Sequence, residues 1–399
     1  MTVSAITSQP SPRNATLAYF LSISMLGAFT ALGGPALPSL ASNTSSTLDQ
    51  ISLYFVLGSL GYLVGSLVGG RAYDRLPGNR LLSLTLLGVA VSGALVPIAH
   101  QLSWLLAAQF TLGLAQGAND VGCNTLLLWT HGKKAGPYIN GLHFSFGVGT
   151  SIAPLVLAGF LALGSGIQWA FWVFAIISLP LVAWLWFLPE APGNIQHSRT
   201  ARPAAVLFPA LFLALAFLFY VGGEVGFGNW IYTYALEKGL GTVISSAYLT
   251  SAFWGTFTAG RLLGVWVSSR LKPIPVLVVD LVGCLISLTI IMLWPGSGPA
   301  LWIGAVGCGL FMASIFPTML VLAGERLEIS GRVTSWFLVG GGAGSMILPW
   351  VIGQAFVQAG TGALPATVLL ATALTGISVF LFVSRSAAPY QVQPDRSPR

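Results

Sequence analysis

The chain has 399 residues, of which 55% are hydrophobic and only 7% charged, with a formal net charge of +7. Soluble globular domains carry roughly a quarter of their residues charged, so this composition excludes that class and points to an all-α integral membrane protein. Nucleic acid is excluded as the reason for the positive charge, because the basic residues cluster in short segments between apolar runs.

A helix that crosses a bilayer needs about 20 apolar residues. Such runs fall at 15–37, 50–70, 81–99, 103–130, 136–162, 167–188, 204–236, 242–269, 273–294, 299–323, 333–358 and 363–384. With the N-terminus inside, all but Lys238 and Arg261 of the 17 basic residues fall on one side. By the positive-inside rule both termini are expected in the cytoplasm, and the location expected is the plasma (inner) membrane. Met1–Asn14 has one basic residue and is not expected to be a cleavable signal. Cys123, Cys284 and Cys308 all lie within runs, with neither metal-ligand spacing nor a disulfide framework.

In chain order, the first run carries Gly33, Gly34, Pro35 and Pro38 near its outer end, which predicts a bend. The second has Gly61, Gly65 and Gly69 at four-residue spacing, which predicts close approach to another helix. It ends in a short turn holding Asp74, Arg75 and Arg80, read as charges that tie cytoplasmic helix ends together, with Asp74 near the start of the eleventh helix.

The fourth and fifth runs, joined by the basic turn His131–Lys134, contain Gln116, Asn119, Asp120, Asn124, Asn140 and His143. Gln116, Asp120 and Asn124 recur every four residues and share one helical face. Amides alone serve as interhelical glue, but an ionisable group inside a membrane marks a pathway or coupling site by default. Asp120 is therefore read as an ion-coupling residue and the amides and His143 as solute-binding residues.

Ala191–Pro203 is the longest polar stretch between runs, so residues 191–203 are read as a cytoplasmic linker between a six-helix unit at 1–190 and a second at 204–399. An internal repeat supports this: Phe144, Gly147, Ser151 and Pro154 in the fifth run correspond to Phe337, Gly340, Ser345 and Pro349 in the eleventh. In the seventh run Tyr220 and Glu224 lie one turn apart, with Asn229 and Trp230 toward the outer side. Glu224 is read as a coupling and solute-binding group, and Tyr220, Asn229, Trp230 and Trp254 are read with it as solute-binding residues. Trp230 suits an interfacial belt or a stacking role equally, whereas Trp254 in the eighth run lies too deep for a belt. Arg261 and Asp280 each sit roughly 10–12 Å from the cytoplasmic end at 1.5 Å per residue, so they are expected to form a structural ion pair. Phe316-Pro317 predicts a bend in the tenth run, and Gly340–Gly342 with Gly344 suit a moving eleventh helix. The polar tail from Ser384 to Arg399 is read as disordered.

The turn Gly69–Arg80 resembles the signature loop of the major facilitator superfamily, with two residues where that loop has one between the Asp-Arg pair and the next glycine, and with Asn79 in place of a basic residue. More specifically, the chain resembles the branch that holds fucose–proton symporters, fungal bypass-of-stop-codon permeases and sodium-dependent glucose transporters. The resemblance rests on Asn119-Asp120 through Asn124; on Asn140, Leu142-His143, Phe146-Gly147 and Gly149; and on Tyr220 through Glu224 with Trp230. It continues through Phe253-Trp254 with Gly260-Arg261, through Ile315-Phe316-Pro317-Thr318, and from Gly331-Arg332 and Trp336 to Pro349. It implies twelve helices in two pseudo-symmetric six-helix bundles and sugar transport by alternating access, with Asp120 matching an acidic residue that takes part in proton coupling in the fucose symporters. Those symporters also carry an acid in their first helix, where this chain has Ala31-Leu32-Gly33-Gly34-Pro35.

The function expected is therefore a monomeric secondary transporter of a sugar-like solute, coupled to H+ or Na+, with no cofactor, no metal and no catalytic residue. The alternative is an exporter of amphipathic compounds, whose pocket would be more uniformly apolar. An intramembrane enzyme is disfavoured because HExxH, CxxC and GxSxG motifs are missing from the sequence.

Overall fold

A computed structural model of the chain describes residues 12–190, 207–268, 270–327 and 331–386. The expected linker, 191–203, and most of the tail lie outside the described residues. The described chain is helical, and its membrane-length segments are α1 Pro12–Asn43, α2 Leu48–Tyr73, α3 Gly78–Ile98, α4 Leu102–His131, α5 Ala135–Ala162 and α6 Gln168–Phe187. These are followed by α7 Leu207–Glu237, α8 Val243–Ser268, α9 Pro273–Leu293, α10 Gly298–Arg326, α11 Gly331–Ala359 and α12 Ala363–Arg385. Ten of them are both long and apolar enough to cross a membrane. The two that are long but less apolar are α4 and α8, the helices that carry Asp120 and Arg261.

Neighbouring helices run antiparallel, so the termini lie at one end of the bundle, the terminal end; the opposite end is called distal. The first six and last six helices pack in parallel fashion: α1 against α5 as α7 against α11, α2 against α4 as α8 against α10, and α3 against α6 as α9 against α12. This is the architecture of a six-helix repeat. The glycine spacing of α2 does what it predicts. Gly65 rests against the backbone of Leu114, and a Cβ at Gly69 would stand 2.8 Å from the Cα of Ala118, which only a bare backbone allows.

The prolines act differently from helix to helix. α1 runs unbroken through Pro35 and Pro38. α10 breaks at Ala313-Ser314, upstream of the expected Phe316-Pro317. Pro317 has no N–H to give the carbonyl of Ala313 and its ring crowds that carbonyl, so the disturbance appears one turn earlier. In α11, Pro349 likewise leaves the carbonyl of Ser345 without its helical donor, and the Ser59 hydroxyl of α2 supplies one at 3.2 Å. A proline in one half thus creates an acceptor that the other half fills.

Contacts between the halves run through α1–α7, α2–α11 and α5–α8. They gather in the distal half. Gln354 donates to the carbonyl of Asp49 at 3.0 Å, Ser251 donates to the carbonyl of Ser151, and Gly34 lies on the backbone of Asn229. Toward the terminal end, Asn140, His143 and Phe144 of α5 are exposed. The bundle is closed distally and open toward the termini.

Candidate functional site

The site is built where the distal seam ends. On the α4 side, the Asp120 carboxylate accepts a hydrogen bond from the Tyr62 hydroxyl of α2 and another from the Asn124 amide at 3.0 Å. The same Asn124 amide reaches the carbonyl of Asp120 at 3.0 Å, which fixes the side chain along its own helix. His143 on α5 is close enough for its charge to act on Asp120. Tyr62 is the partner that sequence reasoning missed; a tyrosine within the glycine-rich face of α2 was its one visible signal.

The other amides turn away from this point. Gln116 donates to Thr30 at 3.2 Å and to the carbonyl of Leu26 at 3.4 Å, joining α4 to α1. Asn119 is fully buried and bonded to Ser22 at 3.1 Å and Thr85 at 3.4 Å. In this conformation Asn119 and Gln116 spend their amides on α1 and α3 and so hold those helices to α4. One residue of offset on a helix turns a side chain by about 100°, so Asn119 and Asp120 serve different faces. Asn140 is exposed on the terminal half of α5.

On the α7–α8 side, Glu224 is 9% exposed, and Tyr220, one turn earlier, donates to the carbonyl of Met312 at 2.7 Å. One turn later on the same face, Gly228 is covered by the Trp254 indole; a Cβ there would lie 2.5 Å from the ring. Trp254 is 5% exposed, and its Nε1–H has no hydrogen-bond partner among the described residues. Phe257 stands edge-on to it at 5.6 Å, and the Arg261 guanidinium lies over the Phe257 ring at 4.6 Å. Gly260, beside Arg261, and Tyr220, one turn before Glu224, both meet α10 at Met312-Ala313, and Arg261 lies one turn beyond the contact of Thr258 with α5.

Two further expectations are corrected. Trp230 is neither a belt residue nor free to stack on a solute. It is fully buried between Phe55 and Phe356, with ring centroids at 5.9 and 5.0 Å, and donates to the carbonyl of Pro349 at 2.9 Å. Asn229 beside it is buried at the α1–α7 contact. No ion pair joins Arg261 to Asp280. Asp280 instead accepts from Ser314 at 2.5 Å, at the break in α10, while Gly260 and Gly264 seat α8 against the same break from the other side. Equal depth placed the two charges at one level but on different faces of their helices.

In the α2–α3 turn, Asp74, Arg75 and Arg80 are exposed, and Arg80 lies over Trp186 at 5.8 Å. The side chains at the start of α11, proposed as Asp74's partner end, lie outside those described. The anchor of this turn is Asn79, fully buried. Its side chain accepts from Tyr19 at 2.7 Å and donates to the carbonyl of Pro189 at 2.6 Å, and its backbone N–H donates to Glu190 at 2.9 Å. The asparagine that departs from the signature loop therefore ties α3 to the end of α6.

The Major Facilitator Superfamily family model matches residues 19–349. The sodium-dependent glucose transporter 1 of Xenopus laevis is 32% identical over 384 residues, which span 88% of this chain and 77% of that protein. The human protein of the same name is 30% identical, over 82% of this chain and 71% of its own length. Among solved structures, an inward-facing, unoccupied bacterial homolog of the human lysosomal transporter Spinster superposes with a TM-score of 0.74 over 96% of this chain and all of that one, at 14% identity.

Proposed function

The chain belongs to the major facilitator superfamily and is a multi-pass membrane transporter, not an enzyme; from that premise we propose that its solute is a sugar, taken up by alternating access with H+ or Na+ coupled at Asp120. The observation that carries the solute class is the unpartnered indole N–H of Trp254. A buried donor without an acceptor costs about 1–3 kcal/mol, and a hydroxylated ring supplies the acceptor. The indole face covers the apolar face of such a ring, and Glu224 on the adjacent face of α7 accepts its hydroxyls. Two animal relatives named as sodium-dependent glucose transporters support this class. An amphipathic exporter gains nothing from a buried indole donor beside a carboxylate.

Asp120 is the coupling group because it lies at the opening and is held only by neutral donors, Tyr62 and Asn124. A proton or a sodium ion there neutralises a charge at the point where the halves separate. We place both termini in the cytoplasm and the protein in the plasma membrane, so that the opening seen here faces inward. Proteoliposomes loaded with buffer and given radiolabelled D-glucose test the reading. Accumulation is expected only with an inward H+ or Na+ gradient, and the responding gradient identifies the ion. Glucose that neither accumulates nor competes for binding would overturn the solute class.

A further inference from the structure

The seam between α5 and α8 has a readable register. Gly147 and Ser151 of α5 meet Thr258 of α8, the two hydroxyls 3.5 Å apart. One turn further toward the terminal end, α5 carries His143 and α8 carries Arg261, so these face one another at the first level beyond the closed seam. His143 is exposed there, and Asp120 is carried by α4, the helix that precedes α5 and packs on it. Arg261 is therefore the one cation, among the described residues at this level, positioned between a carboxylate of its own half, Glu224, and a carboxylate of the other, Asp120.

We propose that Arg261 exchanges partners during the cycle, resting toward Glu224 when the terminal side is open and crossing to Asp120, past His143, when that side closes. The proposal rests on the reading of Asp120 as the coupling group. In the structure Asp120 is satisfied by Tyr62 and Asn124 of its own half, Arg261 lies on Phe257, and both its neighbour Gly260 and Tyr220, one turn before Glu224, meet α10 at Met312-Ala313. Rocking the halves to close the terminal side brings the α5 and α8 faces together and carries Arg261 toward Asp120. An ionised Asp120 attracts it and stabilises closure. A proton or Na+ on Asp120 cancels that attraction, releases Arg261 to Glu224, and lets the terminal side open with the solute inside. Only a differential interaction of this kind lets a coupling ion shift the two states.

The charged groups around the pair are few. α4 presents Asp120 to His143 and α8 presents Arg261; α6 has no charged residue, and the one in α1, Arg13, is at its terminal start. Lys134 lies more than two turns before His143 on the exposed turn. Around Arg261, α7 offers Glu224 with Tyr220, the α10 break offers neutral Ala313 and Ser314, and on the far side of Ser314 lies the α9 carboxylate Asp280, which that hydroxyl holds.

The test needs neither solute nor gradient. Cys123, Cys284 and Cys308 are buried, so spin labels placed through Leu76→Cys and Leu271→Cys, both exposed terminal-side positions, report closure by pulsed electron paramagnetic resonance in nanodiscs. As pH rises from acid to mildly alkaline, the short-distance population of the otherwise unaltered protein is expected to grow by roughly fivefold or more. Asp120→Asn and Arg261→Gln should each abolish that growth, Arg261→Lys should retain part of it, and His143→Gln should leave it in place. A full pH response in Arg261→Gln overturns the proposal, as does its loss in His143→Gln, which would make the imidazole the titrating partner. If Arg261→Gln does not fold, Arg261→Lys with an undiminished response and Asp120→Asn with an undiminished response remain refuting results. A protein that responds to pH but does not carry glucose leaves this inference standing and removes the solute reading; one that carries glucose without the response does the reverse.

Discussion

Trp254→Phe separates recognition from packing at one position. The indole sits among Phe253, Phe257 and Gly228, 5% exposed, with ring centroids 5.0 and 5.6 Å from the two phenylalanines. Phenylalanine keeps an aromatic plate there and deletes the N–H. That N–H bonds nothing among the described residues, so its removal should not lower thermal stability through a lost hydrogen bond, and the loss is that of the smaller ring. If the donor serves the solute, binding weakens by the net worth of one hydrogen bond, about 0.5–1.5 kcal/mol, or roughly 2- to 13-fold in Kd. Trp254→Ala removes the plate as well and should destabilise the fold by about 3–5 kcal/mol, so it cannot isolate the recognition effect. The assays are scintillation-proximity binding of labelled D-glucose to purified protein, and a thermal melt of the same sample. Unchanged affinity in Trp254→Phe refutes the role given to the donor. A large drop in melting temperature with unchanged affinity shows that the donor serves the fold.

Asp120→Asn should abolish gradient-driven accumulation of glucose while leaving solute counterflow, since a neutral amide neither loads nor releases an ion; concentrative uptake in that variant removes Asp120 from coupling. Ser314→Ala deletes the donor at 2.5 Å from Asp280 and should cost about 1–3 kcal/mol of stability with transport retained, read from the melt and from uptake. In a double-mutant cycle Arg261→Gln and Asp280→Asn should add within about 0.5 kcal/mol, because each has other partners; a larger coupling restores the ion pair. Trp230→Phe loses the bond to Pro349 of its own half, which holds the ring against Phe55 of α2 across the closed distal seam, so distal cysteine accessibility, probed at Val243→Cys, should rise.

Much of the fold was legible because its causes are local. Hydrocarbon demands uninterrupted apolar helices, so the twelve runs announce themselves, and the four-residue glycine spacing of α2 states that another backbone comes close. The repeat in α5 and α11 was legible for the same reason. The site was legible only in part. Composition marks Asp120 and Glu224 as unusual in a membrane, but rotation about a helix axis decides what each polar group faces. Asn119 and Asp120 are adjacent in sequence and part company by that rotation. Arg261 and Asp280 share a depth but not a face, and depth was the only coordinate that residue counting supplies. Asn79 looked like a defect in a loop signature, because its meaning lies with Pro189 and Glu190, more than a hundred residues away.

The two helices least suited by composition to hydrocarbon, α4 and α8, are those on which the proposed mechanism turns, and each is shielded accordingly. α4 is sheathed by the glycine face of α2, so tightly that Tyr62 reaches Asp120, and by α1 through Gln116 and Asn119. α8 is pressed against α10 through Gly260 and Gly264 and against α5 through Thr258. A polar helix in a bilayer is stable only if its neighbours satisfy it, and a transporter must break some of those contacts in every cycle. The contacts within each half are numerous and buried, whereas the polar contacts across the seam are single hydroxyls, a proline-freed carbonyl and one glutamine amide, beside the close approaches of Gly34 and Gly147 and the ring of one tryptophan. Motion therefore belongs at the seam. The partner exchange of Arg261 lies at its edge, where the opening begins.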